Sequence, residues 1–185
     1  MRIVGGHLRG RALAGPSAEG IRPTSDRLRE TIFNVLAHAY DDPVPGARVI
    51  DLFAGTGALG IEAISRGAAF ALFVDEGAAA RGVIRQNVEA LGLGGTTRLF
   101  RRDATRLGPS GTNGVFDLVF CDPPYGRDLA PAALASCAEG GWLKPGALIL
   151  VEEAASTALA WPAGFAELER RATGDTQIAF LRFEG

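Results

Sequence analysis

Leu28, Ile32, Val35, Leu36 and Ala39 recur at helical spacing and give one apolar face to a helix. Pro23-Thr24-Ser25 opens that helix, with Thr24 or Ser25 as the N-cap. Asp41, Asp42, Pro43, Pro45 and Gly46 end it and form a short linker. From residue 47 the pattern alternates. Short apolar runs at 48–50, 70–74, 96–100, 115–121 and 147–151 are separated by helical stretches ending near Arg66 and spanning 77–91 and 129–140. Nearly continuous apolar strands between helices imply a parallel sheet covered on both faces. Two further strands, Phe165 to Thr173 and Thr176 to Phe183, flank Gly174-Asp175. Glycine at the first central position suits a type II′ turn, so the sheet should finish with an antiparallel pair. Residues 1–22 read as an extended arm, in which Arg2-Ile3-Val4 and Arg11-Ala12-Leu13 form a loose hairpin around Gly5, Gly6 and Gly10. The expected organisation is an arm and helix over 1–45 and an α/β domain over 46–185.

The 185 residues suit one ordinary domain, and 47% hydrophobic content suffices for its core. No run approaches the ~18 uninterrupted apolar residues of a membrane span. The N-terminus lacks an apolar signal-peptide core, so a cytoplasmic location is expected. Cys121 and Cys137 have no metal-ligand spacing and read as buried thiols, and no metal is expected. A net charge of −2 argues against bulk attraction to nucleic acid. Yet residues 1–35 carry six arginines against three acids, while Lys144 is the only lysine of the chain. A basic arm on an acidic body can bind a polyanion locally.

Asp51-Leu52-Phe53-Ala54-Gly55-Thr56-Gly57-Ala58-Leu59-Gly60 lies between the first strand and its helix. Gly55, Gly57 and Gly60 satisfy GxGxxG, which by itself equally suggests a dinucleotide. Asp51 argues otherwise. A carboxylate there would repel a pyrophosphate but suits the ammonium and sulfonium of S-adenosylmethionine. Asp75 ends the next strand and can accept from both ribose hydroxyls. Asp103 ends the third strand, where it can accept from an adenine amine or cap the following turn. No residues for hydride transfer stand out, so an NAD oxidoreductase is disfavoured.

Asp122-Pro123-Pro124-Tyr125 follows the fourth strand. Two prolines stiffen the turn and remove two donors, which frees the Pro123 carbonyl to face a pocket. Asp122 adds a second acceptor, and Tyr125 a flat ring for stacking. Two acceptors beside an aromatic face match an exocyclic amine on a flat heterocycle. Such an amine is a poor nucleophile, because its lone pair is delocalised into the ring. Bonds from its hydrogens to Asp122 and the Pro123 carbonyl would pull the nitrogen toward tetrahedral geometry, with no covalent enzyme intermediate. The first and fourth strands are neighbours at the switch point of a doubly wound sheet, so both loops should open into one crevice.

The Asp122–Tyr125 segment resembles the [DN]PP[YF] motif of amino-methyltransferases. MRIVGGHLRGRALAG, RPTSDRLRETIFNVL and DLFAGTGALGIEAISRG resemble the bacterial 16S rRNA guanine-N2-methyltransferase family over most of the chain. The resemblance implies a Rossmann-like class I methyltransferase sheet with a C-terminal antiparallel hairpin. It implies S-adenosylmethionine as donor, S-adenosylhomocysteine as product, and N2-methylguanosine in 16S rRNA of an assembled small subunit. A monomeric enzyme is expected. Asp51, Phe53, Gly55, Gly57, Asp75, Asp103 and Ala104 are the candidates for the donor. Asp122, Pro123 and Tyr125 are the candidates for catalysis. Arg22, Thr24, Arg27, Arg29, Pro124 and Tyr125 are the candidates for RNA, the arginines as phosphate contacts. Tyr125 stands where many relatives carry Phe, and Asp75 where Glu is common. Competing readings are an adenine-N6 DNA methyltransferase, a glutamine-N5 protein methyltransferase and a non-catalytic RNA-binding module.

Overall fold

A computed structural model describes residues 1–16 and 24–185. Ser25 caps α1 (Asp26–Ala39), its hydroxyl accepting from the Leu28 N–H. The chain then alternates through β1 (Arg48–Leu52), α2 (Ala58–Ser65), β2 (Phe70–Val74), α3 (Ala78–Leu91), β3 (Thr97–Phe100), β4 (Phe116–Cys121), α4 (Leu129–Glu139) and β5 (Leu143–Ala154). The hairpin of β6 (Phe165–Thr173) and β7 (Thr176–Phe183) closes it. Gly174 has φ 60°, as a type II′ turn requires at its first central position.

Among the described residues the strands form one seven-stranded sheet in the order β3-β2-β1-β4-β5-β7-β6. The first five are parallel, and β7 enters antiparallel between β5 and β6. This is the Rossmann-like class I methyltransferase sheet. Successive residues of each central strand point to opposite faces. Val49, Phe73, Phe120 and Leu150 join a core with α1, α2 and α3, whereas Ile50, Leu72, Val119 and Ile149 join a second core with α4. Both faces are dry, which explains the unbroken apolar runs. The fifth strand is longer than its apolar stretch. Leu143 pairs with Phe116 across a register shift, and Glu153 and Ala154 continue the ladder to Gln177 and Thr176.

The arm belongs to the first core through Ile3 and Leu13, with one bridge between Arg2 and Ala12. It lies on α2, all eight residues of which are buried. Ser65 accepts from His7 and Leu8 N–H groups through its carbonyl and hydroxyl, at 2.8 and 3.0 Å. Gly6 sits at φ 78°, where a Cβ would come 1.9 Å from the Ser65 carbonyl, so only glycine permits this approach. Among the described residues, no helix is long and apolar enough to cross a membrane.

Candidate active site

β1 and β4 run side by side with Leu52 level with Cys121, so the segments that follow them start as neighbours. The glycine turn leaves β1 and the Asp122–Tyr125 loop leaves β4. Both line one cavity of about 690 Å³, together with the end of β2 and the segments that follow β2 and β3. That volume lies within the range of ordinary small-molecule sites, ~300–1,000 Å³.

The turn is built from unusual backbone. Phe53 holds φ 57° and Gly55 φ 62°. A non-glycine residue in the left-handed region costs free energy and tends to occur at functional loops. Gly57, at φ 80°, precedes α2 as its N-cap and does not line the cavity, so its contribution is the path of the chain. Gly60 allows α2 to pack on β2, since a Cβ there would meet the Phe73 ring at 2.5 Å.

Three aspartate carboxylates, in β1 and just beyond β2 and β3, line one side of the cavity. Asp51 is 1% exposed and accepts from the Gly60 N–H at 3.0 Å. Burial pushes its pKa well up; the Gly60 bond opposes this and the nearby Asp75 charge adds to it. Asp75 receives one backbone N–H on each oxygen, Gly55 at 3.0 Å and Gly77 at 2.8 Å, which fixes its plane toward the cavity edge. Asp103 caps a 3₁₀ turn at Ala104–Arg106, its Oδ1 accepting from the Thr105 hydroxyl and N–H. These bonds hold its pKa down. Both fall on Oδ1, so the cap leaves the accepting capacity of Oδ2 unspent at the cavity. Ala104, buried beside it, also lines the cavity.

On the other side, Asp122 Oδ2 accepts from the Thr24 hydroxyl at 3.0 Å. Thr24 is buried and lines the cavity, and its hydroxyl is turned to the Pro-Pro loop. Pro123 is buried, Pro124 exposed, and Tyr125 half-buried, and all three line the same cavity.

The structure corrects the expectation for Arg29. Its side chain is fully buried and its guanidinium is spent inside the protein, on Glu62 at 3.0 Å, the Arg2 carbonyl at 3.0 Å, the Thr24 carbonyl and Asp26. A charge so enclosed cannot meet a phosphate. Arg27 is exposed on α1 but does not line the cavity, and Arg22 lies outside the described residues. Two exposed arginines that sequence reasoning passed over, Arg102 and Arg127, do line it. Each stands within two residues of a motif position, Asp103 or Tyr125, and that adjacency was the available signal. Glu152 and Glu153 were passed over as well. They are the last two residues of β5 before Ala154 and are 2% and 1% exposed. The strand-end rule that singled out Asp51, Asp75, Asp103 and Asp122 applies equally to them.

The Conserved hypothetical protein 95 family matches residues 1–182. Ribosomal RNA small subunit methyltransferase D of Escherichia coli is 36% identical over 185 residues, covering 100% of this chain and 89% of that protein. The solved structure of the Escherichia coli protein yhhF superposes with a TM-score of 0.84 at 34% identity, covering 100% of this chain and 98% of that one. Hypothetical protein TTHA0928 of Thermus thermophilus superposes with a TM-score of 0.76 at 31% identity, covering 100% and 99%.

Proposed function

The chain belongs to the Conserved hypothetical protein 95 family, and from that premise we propose that it is an rRNA methyltransferase that methylates the exocyclic N2 amine of a guanine in 16S rRNA. S-adenosylmethionine is the proposed donor, and an assembled small ribosomal subunit in the cytoplasm the proposed substrate, met by a monomeric enzyme. One observation carries the reading: the glycine turn and the Pro-Pro loop open into the same cavity.

The residues fit the donor. Asp51 offers a buried carboxylate to its ammonium, Asp75 two oriented oxygens to its ribose, and Asp103 an acceptor to its adenine amine. Gly55 and Phe53 bring backbone close to it. When bound, the donor supplies an electrophilic methyl on a sulfonium. Asp122 and the Pro123 carbonyl accept the two hydrogens of the target amine and direct its lone pair across the cavity. Thr24 holds the Asp122 carboxylate through its hydroxyl bond. Asp122 takes the proton only as the new bond forms, so it needs no strong basicity. Tyr125 stacks on a base splayed out of the RNA, which offsets part of its unstacking cost, a few kcal/mol. Pro124 lies at the rim. Arg102 and Arg127 put positive charge at the mouth of an acidic protein, where phosphates flanking the base would pass. Residues 1–45 contribute Thr24 to the cavity, and exposed Arg27 beside it is a phosphate contact in this reading.

The test is mass spectrometry of 16S rRNA nucleosides from cells with and without the protein, with labelled donor offered to small-subunit particles, naked rRNA, DNA and protein. Loss of one N2-methylguanosine, with label entering the particles, is expected. An unchanged profile, or label in DNA or protein, overturns the reading.

Donor binding should depend on pH through Asp51. A cationic ligand favours the ionised carboxylate, whereas burial favours the protonated one. Its pKa is raised in the free protein, so binding releases a proton in a window above the ordinary aspartate range. Affinity therefore falls as pH drops through that window. Asp103 titrates below it, because the Thr105 bonds hold its pKa down. Calorimetry in two buffers of different ionisation enthalpy reads the released proton. A flat affinity and no proton release would remove Asp51 from the donor site.

A further inference from the structure

The hydroxyl of Tyr125 has no part in stacking, yet among the described residues it is bonded to two partners. It donates to Glu152 Oε1 at 2.9 Å and lies 2.9 Å from the Thr176 hydroxyl. A phenol carries one hydrogen, which is given to Glu152, so Thr176 is the donor in the second bond. The result is a directed chain from Thr176 through Tyr125 to Glu152. Its terminal bond falls on a carboxylate, the stronger class of hydrogen bond. Glu152 is 2% exposed, one residue beyond Val151, which pairs with Cys121 at the start of the acceptor loop. The next residue continues the attachment, since Glu153 Oε1 accepts from the Gly126 N–H at 3.1 Å. The end of β5 thus grips the acceptor loop at two successive positions.

We propose that Glu152 and Thr176 are positioning residues of the acceptor site, setting the Tyr125 ring for the purine that stacks on it. The backbone holds one end of the ring's long axis and the two hydrogen bonds hold the other. The inference rests on the reading of Tyr125 as the stacking wall for a guanine. It assigns the tyrosine hydroxyl a task that a phenylalanine cannot perform: to draw β5 and the terminal hairpin into base recognition. A loosely held ring costs binding of the base more than it costs the transfer itself.

Kinetics on small-subunit particles from cells lacking the protein, with labelled S-adenosylmethionine, test the proposal. Tyr125→Phe keeps the ring and removes both bonds. KM for particles should rise about tenfold, the equivalent of one strong hydrogen bond, while kcat at saturation stays within roughly threefold. Glu152→Gln and the isosteric Thr176→Val should raise KM in the same sense. In the Tyr125→Phe background, Glu152→Gln should raise it no further, because the bond it weakens is already gone. Thermal melting confirms that each variant folds, and Thr176→Val keeps the test open if Glu152→Gln does not. A wild-type KM in Tyr125→Phe, or KM effects that multiply in the double variant, would overturn the positioning role. Wild-type protein that forms no N2-methylguanosine would instead overturn the functional reading beneath it.

Discussion

Asp122→Ala should lower kcat by about 10²–10³-fold, the usual loss when one preorganised polar contact to the reacting group is removed. The donor's dissociation constant should change little, because the proposed donor contacts Asp51, Asp75 and Asp103 lie along other strands or just beyond them. The target amine would keep the Pro123 carbonyl but lose its second acceptor, and with it the bias toward tetrahedral nitrogen. Asp122→Asn retains an acceptor oxygen in the same place but cannot take the proton, so it should recover only part of the activity. Thr24→Val, which releases the carboxylate from its 3.0 Å hydroxyl bond, should produce a smaller loss of the same kind. Single-turnover rates with saturating donor separate these outcomes from effects on binding. Unimpaired transfer by Asp122→Ala would remove Asp122 from the chemistry.

The second large effect is on stability. Glu62 is fully buried in α2 and meets four donors: Val4 N–H at 3.0 Å, Gly5 N–H at 2.9 Å, Arg29 at 3.0 Å and Arg66 at 2.9 Å. One carboxylate therefore ties the arm, α1 and α2 together. A buried ion pair adds little net stability compared with a well-packed apolar pair. Removing one partner is different, because it strands the other charge away from water at a cost of about 3–5 kcal/mol. Glu62→Ala leaves Arg29 enclosed with, among the described residues, only Asp26 as a counter-charge, and strips two arm amides of their acceptor. In a chain of this size the melting temperature should fall by roughly 6–20 °C. Hydrogen exchange at Val4 and Gly5 should lose its protection. A loss below about 1 kcal/mol, with both amides still protected, would show that the arm is held by its apolar contacts alone. Thr24 joins α1 to Asp122, so a stable variant with a loosened arm should also show slower transfer.

Four of the residues that make or brace the Pro-Pro loop illustrate how far the chain could be read. Asp122, Pro123 and Tyr125 were visible because their chemistry is local: two prolines in a row and flanking polar groups at the end of an apolar run. Glu152 was not visible as a partner of Tyr125. The two are 27 residues apart and meet only because β4 and β5 pair in parallel, with Cys121 beside Val151. Likewise β5 looked like 147–151 because its ends are polar. Lys144 at one end is exposed, and Glu152 and Glu153 at the other are buried by neighbours that no sequence window contains.

The succession of strands and helices, the terminal hairpin, the glycine turn and the strand-end aspartates are all legible in local pattern. Strands buried on both faces, a turn that needs positive φ and a helix with one apolar stripe all leave a local pattern. Tertiary structure alone decided the fate of the charges. Arg29 looked like a surface arginine on an amphipathic helix, and its burial depends on Glu62, 33 residues further on. Whether a charge faces water or the core follows from where its counter-charge is brought by the fold, and periodicity carries no record of that.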